Sequence, residues 1–217
     1  MPFLARALIA LTALLPLACT AADAPKYELG THYKPVRVPQ TPADPGKIEV
    51  IEVFSYGCPH CFQFEPHLEA WLAKKPSDVS FVRLPHTLGA PAGIVRNKAM
   101  YTAHMLGGFE KFHRALFASI HGQGKTMGSV EEVRDLFVQS TGLKAADFDG
   151  AYNSFAIDSR FRIAENAIRD MGIASVPTLV VDGKYYTSPR AGGGFTEMLA
   201  VTDFLVAQAR KERGKSR

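Results

Sequence analysis

The sequence predicts an α/β fold, a β-sheet flanked by helices, with an all-helical block inserted into it. Three observations carry this. Residues 48–84 read as strand, helix, strand. Residues 88–171 show helical periodicity and almost no strand pattern. Strand character then returns as a hairpin at 178–186, ahead of a last amphipathic helix. A chain of 217 residues has room for one large domain or a domain with an insertion, and 47% hydrophobic with 21% charged residues suits a globular protein with a sizeable core. The formal charge of +4 is mild, and the basic residues, apart from a cluster at 210–217, are spread along the chain without interleaved aromatics. That pattern argues against a nucleic-acid-binding surface.

The first residues read as an address. Arg6 is the lone basic residue of an n-region, and 7–18 is an apolar stretch too short to span a bilayer comfortably. Small residues follow before charge returns at Asp23, so 1–22 is expected to be a signal peptide. Cys19 has two readings. A peptidase cutting after Ala22 would discard it, whereas Leu15-Pro16-Leu17-Ala18-Cys19 resembles a bacterial lipobox that would make Cys19 a lipid anchor. Pro16 stands where a lipobox prefers Leu, which tilts the balance toward the first.

Residues 25–45, rich in Pro, Thr and Gly, predict an extended arm with a short edge strand, where proline is tolerated. The apolar run 48–54 predicts a strand, a Ser/Gly turn breaks it, and a helix follows from Pro59 to about Lys74 through Phe62, Phe64, Leu68, Trp71 and Leu72. A second strand at 78–84 (Val79, Phe81, Val82, Leu84) completes a β-α-β unit. Helices are expected at 94–106 and 109–120. Ser129-Val130-Glu131-Glu132 is a capping box opening another, with Gly142 as its C-cap. One last helical stretch is expected from Ala145 to Ile168. The aromatic stripes of this block suit the core of a small bundle better than a cofactor box. Asp182-Gly183 is a two-residue hairpin turn between 178–181 and Lys184-Tyr185-Tyr186. Residues 190–194 read as a flexible connector, lacking the Lys and Ser/Thr of a phosphate loop. A helix is expected over 195–209, and the basic cluster 210–217 reads as a frayed, solvated tail.

The chemistry concentrates in Cys58-Pro59-His60-Cys61. Cys58 falls where the helix N-cap should be, and Pro59 falls at N1, where its missing N–H costs nothing. Cys61 lies one turn on, so the two sulfurs are within reach of a disulfide. A helix N-terminus favours the thiolate, and His60 can add positive charge or a hydrogen bond to it. Each unit by which the Cys58 pKa falls below ambient pH stabilises the reduced form by about 1.4 kcal/mol, or roughly 30 mV. A pair stabilised in its reduced form is a good oxidant. Two blander readings fare worse. Half a zinc site lacks a second Cys-x-x-Cys or a nearby His pair, and a structural bridge closing so short a loop would constrain the unfolded chain little. Glu52, in a strand that should be central, is costly there without a task or a partner; an ion pair with Arg83 on the next strand would supply one. Glu65 reads as surface charge. His67, His86, His104, His113 and His121 have no metal-like spacing and read as ordinary surface or half-buried residues, while His32 in the arm carries no signal.

The order strand, Cys-x-x-Cys at a helix start, strand, helices, then Val-Pro before a hairpin and a final helix resembles the thioredoxin superfamily. Within it, Phe54-Ser55-Tyr56-Gly57-Cys58-Pro59-His60-Cys61-Phe62-Gln63-Phe64-Glu65 and Ser175-Val176-Pro177-Thr178 resemble the DsbA family of periplasmic disulfide oxidases, over about residues 26–210. The resemblance implies a thioredoxin-like fold with a central mixed sheet. Its first part would be 25–87, with a helical insertion at 88–171 and a second part at 172–213. It implies a cis Pro177 facing the dithiol, and a Val176 backbone that receives an extended substrate peptide. It implies a proton-transfer role for Glu52 toward Cys61. Taken without the resemblance, Pro177 is simply a proline opening a strand.

The function expected is donation of a Cys58–Cys61 disulfide to reduced, newly exported proteins in the periplasm, with a DsbB-like membrane quinone reductase as the reoxidising partner. No cofactor, metal or nucleic acid is expected, and the chain is expected to act as a monomer. The rivals are a disulfide isomerase or reductase of the same fold and a non-redox, chaperone-like binding protein. A glutathione-transferase relative, which would need neither Cys61 nor His60, is a third.

Overall fold

The strand on which the molecule is built, β2 (Ile48–Phe54), is buried along its whole length, its two glutamates included. This computed structural model describes residues 26–215; the expected signal peptide with Cys19, and residues 216–217, lie outside them. With β1 (Lys34–Pro35), β3 (Val79–Pro85), β4 (Thr178–Val181) and β5 (Tyr185–Thr187), β2 forms one mixed sheet in the order β1-β5-β4-β2-β3. β2 runs parallel to β3 and antiparallel to β4, and the short edge strand β1 lies against β5. The parallel pair is joined through α1 (Pro59–Leu72), as a β-α-β unit requires.

Alternation along β2 decides what covers each face. Val50 packs with Phe64 and Leu68 of α1 and with Met198, Val201 and Leu205 of α8 (Phe195–Lys215). Ile51 and Val53 point the other way, onto Ile168 and Met171 of α6 (Phe155–Met171). Each such side chain, fully buried, contributes about 1.5–3 kcal/mol. A third core lies among α2 (Pro91–Met105), α3 (Phe109–Phe117), α4 (Val130–Thr141), α5 (Ala145–Tyr152) and α6. It includes Phe54, Tyr56 and Cys61 together with Phe112, Phe117, Phe137 and Phe148. The dithiol therefore sits where the sheet meets the helical block.

Both bonds of the capping box at Ser129 and Glu132 are present, and Gly142 closes α4 with a left-handed φ of 76°. Asp182 (φ 54°) and Gly183 (φ 63°) make the β4–β5 turn, both in the left-handed region that a tight hairpin demands. Gly183 is also a close approach, since a Cβ there would stand 1.9 Å from the Gln40 carbonyl oxygen of the arm.

Four expectations are corrected. The stretch 145–168 is two helices, because the Ser154 hydroxyl accepts from the Ile157 amide and so caps α6. The helix expected over 109–120 ends as α3 at Phe117 and widens into a π-helical turn, Ala118–Gly122. The connector at 190–194 is partly helical, α7 (Pro189–Gly192), with Pro189 pre-set for the first turn. Finally, the basic tail is ordered helix as far as Lys215. Arg210 makes a bidentate pair with Asp78 at 2.6 and 2.8 Å, while Arg213 reaches Asp182 and the Pro45 carbonyl. A cleft of about 600 Å³ at that pole is lined by Asp78, Lys184, Arg210, Glu212 and Arg213, charges already held in ion pairs.

Candidate active site

Cys58 is the N-cap of α1, with extended backbone (φ −93°, ψ 114°) and Pro59 at N1. Its side chain makes no capping bond, which leaves the sulfur available. The amides of Cys61 and Phe62 instead close the first turn on the Cys58 carbonyl, at 3.1 and 3.2 Å. Cys58 is part-exposed and Cys61 is fully buried; both are free thiols. Pro59 and His60 are exposed beside them. The Val176–Pro177 bond is cis, and the Cys58 thiol lies 3.8 Å from the Val176 carbonyl oxygen. A cavity of about 600 Å³ opens beside this contact, lined among others by His60, Gln63, Val176, Pro177, Arg190 and Phe195.

Hydrogen bonding from the Cys61 thiol is the largest influence on Cys58. Partial burial opposes it, the N–H groups of Cys61 and His60 and the charge of His60 assist, and the Cys58 thiol is lowered to about 5. The same contact acts in reverse on Cys61. Donating to Cys58, and buried, its thiol is pushed far above the usual cysteine range. The two sulfurs thus differ in exposure and in acidity, and the difference comes from their own pairing more than from His60.

Glu52 is completely buried, and burial raises its carboxyl to about 8 against the pull of Arg83. Arg83 stands opposite it on β3, with Nε 3.1 Å from Glu52 Oε2. The other arm of the same guanidinium donates to Glu65 Oε2 at 3.1 Å. Glu65 is thus no surface charge: one turn beyond Cys61, its side chain is only 12% exposed. His113 is not a half-buried bystander either. At 2% exposure it lies between Glu65 (Nε2 to Oε2, 3.3 Å) and the Tyr56 hydroxyl (Nδ1, 2.7 Å). His121, carried by the π-helical turn, donates to the Tyr56 carbonyl at 2.8 Å and stacks on Phe62. Sequence reasoning reached Glu52 and Arg83 and missed Tyr56, His113 and His121. One signal was present: His113 stands four residues from both Phe109 and Phe117, on the stripe that faces the core.

Residues 83–200 match the DSBA-like thioredoxin domain family. Over 205 residues the chain is 38% identical to the thiol:disulfide interchange protein DsbA of Pseudomonas aeruginosa, covering 92% of this chain and 95% of that one. The chain belongs to the DsbA family. The DsbA of Azotobacter vinelandii is 40% identical over 176 residues, 81% of this chain and 80% of that one. The crystal structure of the Pseudomonas aeruginosa DsbA superposes with a TM-score of 0.80 at 37% identity, covering 87% of this chain and 97% of that one. A Proteus DsbA, solved with a non-covalently bound peptide PWATCDS, gives 0.71 at 29% identity over 84% and 97%. The fold is the thioredoxin-like fold of DsbA, and the activity is thiol–disulfide oxidoreduction. Among the described residues no helix is long and apolar enough to cross a membrane.

Proposed function

We propose that this DsbA-family protein gives a Cys58–Cys61 disulfide to pairs of cysteines in newly exported chains, in the periplasm. A substrate thiolate attacks Cys58 Sγ; the new bond forms as the Cys58–Cys61 bond breaks, and its electron pair leaves on Cys61. A second substrate thiolate then attacks the substrate sulfur of the mixed disulfide and expels Cys58 as a thiolate. Two electrons pass from substrate to protein, and none from a cofactor. The observation that carries the direction is the acidic, part-exposed Cys58 beside a buried Cys61, since a stabilised leaving thiolate favours the reduced protein.

Cys61 is a poor leaving group unless it gains a proton as it departs. Glu52, held protonated at neutral pH by burial, is the donor, and its Oε1 has no hydrogen-bond partner among the described residues. Pro59 fixes the turn that presents Cys58. His60 adds charge beside it, and Val176 with cis-Pro177 offers backbone groups to an extended peptide. The peptide complex of the Proteus relative supports that use of the face. The α/β part, 25–87 with 172–213, carries the chemistry, and the helical part, 88–171, covers Cys61. Residues 1–22 direct export, and a DsbB-type membrane quinone reductase restores the disulfide.

Redox equilibration with glutathione tests the reading. The expected potential lies well above the roughly −270 mV of thioredoxin. A value close to thioredoxin's would make the protein a reductase.

A further inference from the structure

Two carboxyls, Glu52 and Glu65, share one guanidinium, that of Arg83, at 3.1 Å each. With one proton between them the three groups are electrically neutral, and in so buried a place that is the state of least cost. Which carboxyl holds the proton is then set by the neighbours of each. Each carboxyl has its Oε2 on Arg83 and its Oε1 without a partner among the described residues, so these contacts alone do not distinguish them. Glu65 has a second polar neighbour, His113 Nε2, 3.3 Å from the oxygen that Arg83 also holds. That nitrogen makes no aligned hydrogen bond among the described residues, and Glu65 Oε2, at 3.3 Å, is the acceptor within its reach. The opposite ring nitrogen, Nδ1, lies 2.7 Å from the Tyr56 hydroxyl, which can donate to it and so keep the imidazole proton on Nε2, facing Glu65.

We propose that His113 is a positioning residue that decides which of the two carboxyls on Arg83 carries the proton, assigning the charge to Glu65 and the proton to Glu52. Tyr56, two residues before Cys58, fixes the tautomer that makes this possible. The titratable and charged groups facing the trio are Cys61 on α1, Tyr56 in the loop before it, and His113 and Glu110 on α3, with Tyr101 of α2 behind Tyr56. The directions of titration agree. Burial and the Glu65 charge hold Glu52 up, while hydrogen bonding from His113 and the charge of Arg83 outweigh burial and hold Glu65 down. Burial in turn keeps His113 below the usual histidine range, hence neutral, with one proton to place. The functional weight of the assignment rests on the proton role proposed for Glu52. The helical block thereby reaches the redox chemistry without touching either sulfur.

The test is carboxyl-carbon NMR of the reduced protein with labelled glutamate, Glu52 and Glu65 being identified by their disappearance in Glu52→Gln and Glu65→Gln. In the wild type Glu52 should titrate at the higher pH. In His113→Phe the order should invert, with Glu65 the higher by about one pH unit or more. His113→Gln, which keeps an N–H, should restore the original order. A core merely loosened by the substitution would bring both carboxyls toward the ordinary value of about 4.3 without exchanging them. Retention of the wild-type order in His113→Phe overturns the proposal. Should that variant not fold, Tyr56→Phe decides: freeing the tautomer should narrow the gap, and an unchanged gap overturns it. The role of Glu52 is judged separately, by the pH profile of substrate oxidation in Glu52→Gln. A profile identical to wild type there removes the proton role while leaving the titration order to decide about His113.

Discussion

At the scale of single residues, the chemistry rests on two sulfurs one helical turn apart in different surroundings. The N-cap position exposes Cys58 and Phe54, Tyr56 and their neighbours bury Cys61, so alkylation of the reduced protein at mildly acidic pH should label Cys58 first. Preferential labelling of Cys61 would reverse the assignment. The ranking of influences on Cys58 gives a sharper expectation. The Cys61 thiol is the largest of them and the His60 charge the smallest, so Cys61→Ala should raise the Cys58 titration midpoint more than His60→Ala does. Thiolate ultraviolet absorbance against pH measures both. A larger shift in His60→Ala would show that the imidazole, and not the neighbouring thiol, dominates.

At the scale of elements, caps and turns hold the frame that positions the site. The Ser129 hydroxyl accepts from the otherwise orphan Glu132 amide of α4, and the Ser129 amide donates in return to the Glu132 carboxylate. Ser129→Ala should therefore cost about 1 kcal/mol in denaturant melts, with redox behaviour unchanged. Two glycines separate backbone strain from collision. Gly142 and Gly183 both have left-handed backbone, but a Cβ at Gly142 meets open space while one at Gly183 runs into the arm. Gly142→Ala should cost about 1–2 kcal/mol, and Gly183→Ala clearly more. Equal losses would mean that the arm moves aside freely.

At the scale of the whole molecule, the acidity of Cys58 becomes a difference in stability between redox forms. A thiol whose folded pKa is about 5 instead of the usual 9.0 stabilises the reduced fold fully above pH 9 and loses that contribution as pH falls through 5. The oxidised form has no such thiolate. The reduced protein should thus be the more stable one at pH 7, by about 2.7 kcal/mol at full strength and on the order of 1–2 kcal/mol once solvent screening at a part-exposed sulfur is allowed for. The gap should close toward pH 5. Denaturant melts of both forms across this range check it, and an oxidised form of equal or greater stability at pH 7 would contradict it.

What the sequence determined by itself was local. The strand at 48–54, the capping box at Ser129, the Asp182-Gly183 turn and the Cys-Pro-His-Cys helix start are all written in residues adjacent or one turn apart. Periodicity, capping and turn chemistry act over just that range. The Ser154 cap went unread because apolar spacing runs on through it, and the π-helical turn left no mark in the pattern. What the tertiary structure decided was which distant groups meet. Arg83 reaches both Glu52 and Glu65 because β2 and β3 align in register across α1. His113 meets Tyr56 across 57 positions of chain because the helical block folds back over the dithiol. A carboxylate reads alike in sequence whether solvated or buried. Only packing removes the water, and removal of water is what turns Glu65 from surface charge into a partner of the buried pair.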